Sequence, residues 1–499
     1  MVVKVKIELK TVAYRLPQNI VYHEKNDTSC LVMDYPLKSI TLHPFWGIAL
    51  KLLHSRSFVP LEKIVPHVEN LESDQIEFFL NDLSRKGFLE MEGVSKLTDY
   101  PFVSIIIPVR NRPAQIEECL HSLMKLEYPT KKLEIIVVDD ASIDQTPQKV
   151  ATFPVNLITL KENKQASYCR NFAASKAQGD ILAFIDSDCL ADPLWLQELI
   201  PAFKDPSLSA LGGMVDSYFV NSPLDRYEQV KSSLIIDRRM RRSSKNENFF
   251  YVPSCNLLVR SDVFKKINGF EEKLFVGEDV DFCWRLQDAG YQVEFRPLGT
   301  VYHKHRNEIK AFSRRRFDYG TSEPMLQQRH PQRNKQMFFP LGASLFWMMV
   351  VLTVICNSVF FPILGGITII TDALKRFVGI KRKEIYIPFY KLLIAVFRTY
   401  FAFFYHFCAF ISRYYLFFSV IIVFVSPLVF AIVLGMHLLV GVTEYFIKKP
   451  RLNLFYFLFY FSLEQLSYQL GVWWYCIKHS SFSAINPTII WRHPAKKTG

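Results

Sequence analysis

The nine cysteines of this 499-residue chain include no C-x-x-C pair. The chain therefore lacks the ligand spacing of a zinc ribbon, and its scattered cysteines do not predict the disulfide framework of a secreted domain. The first ten residues, MVVKVKIELK, also lack the apolar core of a signal peptide. We therefore expect reduced thiols and a cytoplasmic location for roughly the first 330 residues.

Negative charge is in short supply, because 47 Asp and Glu stand against 60 Lys and Arg and leave a net charge of +13. A basic balance is typical of proteins that bind nucleic acid, an anionic membrane surface or phosphorylated substrates. The 43 Phe and 23 Tyr are many for a soluble protein of this size, and they are concentrated after residue 338. This distribution favours membrane lipid as a partner and gives little support to nucleic acid.

Charged residues are absent from 338–371 and from 414–443. Each stretch is longer than the roughly 20 apolar residues that cross a bilayer. Basic residues flank both ends of each stretch, so a simple crossing would put basic residues on the wrong side once. We therefore expect at least one of them to be a re-entrant hairpin or to pair with a weaker apolar stretch, 385–412 or 452–477. Residues 336–499 are predicted to be a helical region associated with the cell membrane.

Residues 1–98 are predicted to form a small winged-helix-like α+β domain. Residues 31–42 have the pattern of short strands, and residues 74–91 carry apolar residues at helical spacing up to Gly87, a typical helix stop. A winged helix often binds DNA, but this region has no clear face of Lys and Arg. Peptide binding and simple packing are at least as well supported.

Residues 99–335 are predicted to form an α/β domain. Near-continuous apolar runs alternate there with amphipathic stretches of helix length, a pattern typical of strands buried on both faces of a parallel sheet. Ligands of such sheets bind at the carboxyl ends of the strands, and carboxylates of this sequence lie at those ends. The apolar runs are 102–109, 133–140, 155–160 and 181–188.

Asp186 and Asp188 close the last of these runs, in the sequence FIDSD. Residues i and i+2 of a strand point to the same face, so the two carboxylates are expected to converge. Converging carboxylates repel each other unless a proton or a cation lies between them. Mg²⁺ or Mn²⁺, held together with phosphate oxygens of a substrate, fits best. The competing interpretation is turn chemistry, because Asp192 and Pro193 begin a helix just beyond.

Acids also lie at the ends of other elements in this domain. Asp139 and Asp140 follow another apolar run, and one of them is suited to a base or ribose edge. Glu278, Asp279 and Asp281 begin a predicted helix, where the helix dipole favours acids. The dipole explains acids at one helix, but not their recurrence at three element ends of one domain.

Basic groups follow the acids. His303 and His305 come after a predicted strand, and one of them, with His303 preferred, could complete a carboxylate-rich metal site. Arg315 and Arg316, within SRRRFDYG, suit a diphosphate leaving group, because a guanidinium pairs bidentately with phosphate oxygens. The competing interpretation of the arginines is contact with anionic lipid beside the membrane.

Taken in order, these motifs resemble those of inverting family-2 glycosyltransferases with the GT-A fold, over about residues 102–306. The resemblance implies a nucleotide-sugar donor and a divalent metal, Mg²⁺ or Mn²⁺. The segments that carry it are VSIIIPVRNRPAQIEECLHSL, IIVVDDAS, CRNFAASKAQGDILAFIDSD, PSCNLLVRSDVFKKINGFEE and GEDVDFCWRLQDAG.

The resemblance also implies roles for single residues. Asp188 would bind the metal, with His303 as a further ligand. Asp279 would be the base that acts on the acceptor hydroxyl. By the resemblance, the nucleotide site would be lined by Pro108, Arg110, Asp140 and Asp186. We also expect Arg170 to bind the donor, and Arg315 and Arg316 to assist the departing nucleotide.

A finer resemblance is to mycofactocin-type glycosyltransferases. It rests on RRRFDYGTSEPMLQQRHP at 314–331 and on YQLGVWWYCIKHSSFS near the end of the chain. The small N-terminal domain is also similar to the peptide-binding domains of ribosomal-peptide modification systems. This resemblance implies glucose transfer from UDP-glucose onto a peptide-derived redox cofactor, building a short β-glucan.

The chain departs from the family at Gln165, where glycine is common, and at Cys169, where alanine is common, so the donor loop is expected to differ in shape. The Q-x-x-R-W motif of processive membrane polysaccharide synthases is missing, which counts against a long polymer. One alternative is a membrane glycosyltransferase that acts on a lipid-linked or polysaccharide acceptor. Another is a membrane-anchored peptide-binding protein without catalysis, against which the intact Asp186, Asp188 and Asp279 argue.

Overall fold

The computed structural model divides into two compact units, Met1–Met33 with Ser39–Asn307 and Asp34–Lys38 with Glu308–Gly499. The first unit contains both the N-terminal region and the α/β domain. The helix Ile309–Arg329, which we predicted as the end of the α/β domain, is grouped with the second unit. The structure describes residues 9–25, 28–33, 36–54, 57–68, 70–236, 238–243, 250–382 and 387–491.

The N-terminal region combines two small sheets with short helices. Its longest helix, Ser73–Arg85, begins with a capping box formed by Glu72 and Gln75. The helix ends just before Gly87, whose φ of 83° is left-handed, so the predicted stop is confirmed. The strands are Ala13–Arg15, Ile20–Lys25, Thr28–Met33, Lys38–Leu42, Val59–Pro60 and Glu90–Glu92, and the other helices are Pro44–Trp46, Gly47–Leu53, Leu61–Ile64 and Val65–His67.

A buried ion cluster fixes this region to the α/β domain. Glu294, whose side chain is fully buried, accepts hydrogen bonds from Arg85 at 2.9 Å, Arg242 at 2.6 Å and Arg296 at 2.7 Å. Burial alone would raise the pKa of Glu294, but the three guanidinium groups outweigh it and hold the pKa below its usual value. Arg85 is the last residue of the N-terminal helix, so the helix is held against the edge of the central sheet.

Among the described residues the central sheet has eight strands, and it is mixed, because two strands, Leu257–Arg260 and Arg241–Arg242, run antiparallel to their neighbours. Leu257–Arg260 runs antiparallel between Ile181–Phe184 and Leu208–Gly212. The four strands on one side are mutually parallel, as predicted: Ile181–Phe184, Val103–Val109, Leu133–Asp139 and Asn156–Thr159. The remaining strands are Gln292–Phe295 and Arg241–Arg242, and a second sheet contains Cys189–Ala191, Val301–His303 and Val215–Ser217.

The strand Val103–Val109 shows why these strands have nearly continuous apolar sequences. Ile105 and Ile107 pack into the core on one face of the sheet, whereas Ile106 packs into the core on the other face. Helices cover both faces, so residues on either face have to be apolar. The helices are Pro113–Leu123, Thr146–Val150, Gln165–Lys176, Trp195–Leu199, Pro223–Lys231, Ser261–Lys266 and Glu278–Asp288, with short 3-10 turns at Thr130–Lys132, Ile200–Lys204 and Ser254–Asn256.

The second unit is mainly helical. The charge-free stretch 338–371 contains the helix Leu341–Cys356 and the first half of Phe360–Lys381, with a turn between them. The charge-free stretch 414–443 is also interrupted, by a turn just before the helix Pro427–Lys448.

By length and composition, two helices among the described residues of this unit could cross a membrane, Phe389–Tyr414 and Pro427–Lys448. The first corresponds to one of the two apolar stretches that we rated as weaker. These helices are consistent with the predicted membrane region. The other elements are Leu416–Ile422, Leu454–Lys478, the 3-10 turn Pro331–Arg333 and the paired strands Gln336–Phe338 and Thr488–Ile490.

Candidate active site

Asp186 and Asp188 lie in a turn that follows the strand. The strand ends at Phe184, and the N–H of Cys189 donates to the carbonyl oxygen of Asp186 at 3.0 Å. The predicted strand end at residue 188 is therefore wrong, and the rule for residues i and i+2 of a strand does not describe the two carboxylates. Each of them faces a different arginine.

Arg170 joins two acidic clusters that lie far apart in the sequence. Its Nη2 donates to Oδ1 of Asp186 at 2.5 Å, and its Nη1 donates to Oε1 of Glu278 at 3.1 Å. Only 3% of its side chain is exposed. Burial opposes the charge of Arg170, but the two carboxylates outweigh burial and raise the pKa of the guanidinium. The acids around residues 187 and 279 therefore lie in one site.

Asp188 has its own counter-ion, Arg112. Nη1 of Arg112 donates to Oδ2 of Asp188 at 2.5 Å, and Nε2 of His303 lies 3.6 Å from Oδ1 of Asp188. Burial would raise the pKa of Asp188, but the charges of His303, Arg112 and Arg306 hold the pKa below its usual value. Asp188 is therefore ionised at neutral pH, as a metal ligand has to be.

Asp188, Cys189 and His303 form a group that could hold a metal ion, because one ligand atom from each lies within 4.8 Å of the other two. Burial raises the pKa of the Cys189 thiol well above its usual value, so its sulfur is a poor ligand. A carboxylate and an imidazole fit Mn²⁺ or Mg²⁺, which take further oxygen ligands from water and substrate phosphate. Nδ1 of His305 lies 3.2 Å from Nδ1 of His303, so His305 orients the ring whose Nε2 faces Asp188.

Asp279 lies at the start of the helix Glu278–Asp288. Its Oδ2 accepts the backbone N–H of Ser254 at 3.4 Å, and its Oδ1 accepts that of Val280 at 2.8 Å. Burial, and then the negative charge of Glu278, raise the pKa of Asp279 to about 7 against the effect of these hydrogen bonds. A carboxyl group with a pKa near 7 is matched to general base catalysis at neutral pH.

Asp140 anchors the helix that carries Arg170. Its two carboxylate oxygens accept the backbone N–H groups of Lys164 at 2.6 Å and Gln165 at 2.9 Å, where the helix Gln165–Lys176 begins. Gln165 has a φ of 73°, in the left-handed region that favours glycine. This conformation gives a physical reason for the glycine that the family resemblance leads us to expect at this position.

Pro108 and Arg110 lie at the carboxyl end of the strand that occupies the middle of the parallel part of the sheet. Pro108 is half-buried and Arg110 is exposed. Asn111 ties this strand end to the next loop, because its N–H donates to Oγ of Ser142 and its Oδ1 accepts the N–H of Ile143, both at 2.9 Å. The two loops therefore form one continuous edge.

The sequence analysis missed one residue of this site, Arg112, and wrongly grouped another, Asp281, with the site acids. Arg112 was missed, although its position just after a strand end was a usable signal, because ligands bind at strand ends in such sheets. Asp281 was grouped with the site acids, but it accepts a hydrogen bond from Arg285 at 2.8 Å. Arg285 also donates to the carbonyl oxygens of Ile267 and Gly269, so Asp281 supports a loop. The i, i+4 spacing of Asp281 and Arg285 was the signal for this pair.

Arg315 and Arg316 lie in the second unit, on the helix Ile309–Arg329. Arg316 is buried, and its Nε is 3.8 Å from Oε1 of Glu464. The guanidinium of Arg315 lies over the ring of Tyr319 at 4.7 Å. Contact of these arginines with a diphosphate stays a prediction.

Residues 104–267, which contain Asp140, Arg170, Asp186 and Asp188, match the family described as glycosyl transferase family 2. Glycosyltransferase AglE of Haloferax volcanii is 33% identical over 221 residues, which are 41% of this chain and 70% of that protein. The chain belongs to glycosyltransferase family 2, and the predicted GT-A fold class is confirmed.

The pre-mycofactocin glycosyltransferase of Mycobacterium tuberculosis is 30% identical over 252 residues, which are 50% of this chain and 52% of that protein. The predicted resemblance to mycofactocin-type enzymes is thereby confirmed, and the chain spans about half the length of this relative. Among solved structures, residues 1–349 of S. aureus TarS are 23% identical, covering 45% of this chain and 64% of that one, with a TM-score of 0.35. A score this low adds nothing further.

Proposed function

We propose that this chain is a metal-dependent, inverting glycosyltransferase that moves glucose from UDP-glucose onto a peptide-derived redox cofactor of the mycofactocin type, forming a short β-glucan. The observation that carries the proposal is the ion cluster in which Arg170 holds Asp186 beside Glu278, with Asp279 next to it. This cluster keeps a base close to the acids proposed for the donor, the proximity that a single displacement needs. Similarity to the pre-mycofactocin glycosyltransferase supports the choice of acceptor, and UDP-glucose is the donor that the family resemblance implies.

Asp188 and His303 would hold the divalent cation, Mg²⁺ or Mn²⁺. Both side chains have an orienting partner, Arg112 for Asp188 and His305 for His303. When bound, the cation would offset the charge on the donor diphosphate and so favour its departure. Arg112 lies at the same carboxylate with 28% of its side chain exposed, so its guanidinium is available to a phosphate oxygen.

Asp279 accepts the proton of the acceptor hydroxyl while the hydroxyl oxygen forms its bond to the anomeric carbon of the donor. The bond from that carbon to the diphosphate oxygen breaks, and its electron pair leaves with the diphosphate. One displacement therefore inverts the anomeric configuration. Burial and Glu278 keep the pKa of Asp279 near 7, so it takes up a proton more readily than an ordinary aspartate.

The nucleotide would lie along the carboxyl ends of the strands. Pro108, Arg110 and Asp140 belong to two neighbouring strand ends there. Arg315 and Arg316 would assist the departing diphosphate, because paired guanidinium groups match phosphate oxygens. In this proposal the N-terminal region binds the peptide part of the acceptor, and the catalytic unit faces the cytoplasm.

A second candidate acceptor is a lipid-linked sugar or polysaccharide. The apolar helices Phe389–Tyr414 and Pro427–Lys448 favour it, because an enzyme held at a membrane meets such acceptors where they lie. The two candidates share the donor chemistry and differ in the acceptor alone.

The test is to incubate the purified full chain, in detergent, with a panel of nucleotide sugars and to follow slow donor hydrolysis with Mg²⁺, Mn²⁺ or a chelator. We expect hydrolysis of UDP-glucose that requires the metal. Peptide-derived and lipid-linked acceptors are then compared by the mass of the products. Absence of hydrolysis or transfer with every nucleotide sugar would refute the proposal.

The metal site has its own test. Asp188→Ala should abolish metal-dependent binding of UDP-glucose in calorimetry, because the cation would lose its carboxylate. Asp262→Ala is the matched control. Asp262 is exposed and pairs with Lys266, and it follows the antiparallel strand Leu257–Arg260, so it lies at the end of the sheet opposite to the site. Normal metal-dependent binding by Asp188→Ala would remove Asp188 from the metal site.

A further inference from the structure

The second unit contains an apolar hairpin, by which we mean residues 341–372. It consists of the helix Leu341–Cys356, a short turn and the first half of the helix Phe360–Lys381. Between Leu341 and Thr371 the hairpin has no charged residue, and its first charge is Asp372.

The two arms of the apolar hairpin are antiparallel and packed together. Gly342, near the start of the first arm, lies against Asp372 at the end of the second arm. Nearer to the turn, Gly365 of the second arm lies against Phe346 and Met349 of the first arm. The two ends of the apolar hairpin therefore lie next to each other, at the end opposite to the turn.

The closed end of the hairpin suits hydrocarbon. Val354 and Val359, on either side of the turn, are 79% and 81% exposed. Exposed apolar groups in this concentration favour a lipid or protein partner over water. A turn in hydrocarbon needs internal partners for its backbone groups, and Oγ of Ser358 accepts the N–H of Phe360 at 3.3 Å.

The arms are too short to cross a bilayer. The first arm has 16 helical residues, which span about 24 Å at 1.5 Å per residue. The charge-free part of the second helix, from Phe360 to Thr371, spans about 18 Å. The hydrocarbon core of a typical bilayer is about 30 Å thick.

The open end of the hairpin carries positive charge. Lys375 and Arg376 follow Asp372 after two apolar residues, and both are exposed. Basic residues at this position attract anionic lipid headgroups and mark the cytoplasmic face of a membrane protein.

We propose that the apolar hairpin is a re-entrant membrane anchor. It enters the hydrocarbon core of an anionic bilayer from the face that carries Lys375 and Arg376, and it returns to that face without crossing. This arrangement keeps the basic residues before and after the charge-free stretch on one side, as the positive-inside tendency requires. The sequence left open which of the two charge-free stretches is re-entrant, and this proposal assigns that role to the stretch 338–371.

Cys356 is a native reporter at the closed end. Among the nine cysteines, all within the described residues, it is the one that is exposed. Its reaction with a membrane-impermeant maleimide needs the thiolate in water, so the labelling rate reports whether the turn is shielded from water.

The experiment labels the full chain in right-side-out and in inside-out membrane vesicles, before and after detergent is added. Cys356→Ser gives the background, and Lys375→Cys in that variant reports the open end.

We expect Lys375→Cys to react in one vesicle orientation, and Cys356 to react at least tenfold more slowly in both orientations until detergent is added. Labelling of Cys356 from the face opposite to Lys375→Cys would show that the arms cross the bilayer and would overturn the proposal. Labelling of both from the same face at similar rates would place the turn in water and would overturn it equally. Lys381→Cys repeats the open-end measurement at a second position.

Discussion

Changing Asp279 to asparagine should abolish its action as a base. The change should also remove the free-energy cost of keeping a buried, charged carboxylate in the folded state. Asparagine cannot take a proton from the acceptor, so turnover should fall by about 10² or more, the usual contribution of a positioned base. Binding of the nucleotide sugar should change little, because the donor is proposed to contact other residues. In the parent protein, turnover should fall about tenfold per pH unit below pH 7, as the carboxylate of Asp279 becomes protonated.

The same change should stabilise the protein at high pH. The folded state raises the pKa of Asp279 to about 7, whereas an aspartate in an unfolded chain has a pKa of about 3.9. The folded state therefore binds the proton more tightly, and this contribution is complete below about pH 4 and lost as the pH rises to 7. Between pH 5 and pH 7 the loss is at most about 2.7 kcal/mol, and about 2 kcal/mol once solvent screening is included.

Asparagine is neutral at every pH, so the variant does not suffer this loss. Relative to the parent, its melting temperature should rise by about 4–8 °C between pH 5 and pH 8. Thermal unfolding of both proteins in detergent at the two pH values measures the difference. Asp288→Asn, an exposed position on the same helix, should show no such rise and normal turnover. The reasoning is refuted if Asp279→Asn is destabilising at pH 8, or if its turnover matches that of the parent.

Three further variants test the contacts around the site. Arg170→Gln should lower the free energy of unfolding by about 3–5 kcal/mol in urea titrations, because it leaves buried carboxylates uncompensated, and a loss below 1 kcal/mol would contradict the role of Arg170. Gln165→Gly should stabilise the protein by about 1 kcal/mol, since glycine adopts the left-handed φ without strain, and a shift of the urea midpoint in the opposite direction would contradict this. Arg85→Met should make the N-terminal region more accessible to proteases, while the central sheet keeps its hydrogen-exchange protection because Glu294 retains two other arginines. Unchanged proteolysis would argue against the attachment of the N-terminal region through Arg85.

The parallel part of the sheet could be predicted because burial on both faces leaves a continuous apolar run. The run at 133–140 corresponds to the strand Leu133–Asp139, with an end that differs by one residue. The run at 181–188 extends beyond the strand, which ends at Phe184. The N–H of Ile185 still donates to the carbonyl oxygen of Ile106 at 3.2 Å, but the chain then turns at Asp186, whose carbonyl oxygen accepts the N–H of Cys189. Apolar pattern records burial, whereas a strand end depends on backbone pairing.

The acids of the site could be predicted by type and order, but their partners could not. Nothing in the local sequence links Arg170 to Glu278, because that contact depends on how the helix Gln165–Lys176 is set against the helix Glu278–Asp288. The same holds for Arg112 and Asp188. Pairings over such distances in the chain arise from tertiary packing, which a single sequence does not display.

The bridge made by Arg170 has a consequence for how this enzyme could change its substrates. A guanidinium is flat and rigid, so the separation of the carboxylates of Asp186 and Glu278 is set by covalent geometry and not by loop conformation. Evolution of a different sugar preference would leave this spacing unchanged and would alter the loops around it. Variants selected for a new donor should therefore cluster in the loops, with the arginine and its two acids unchanged.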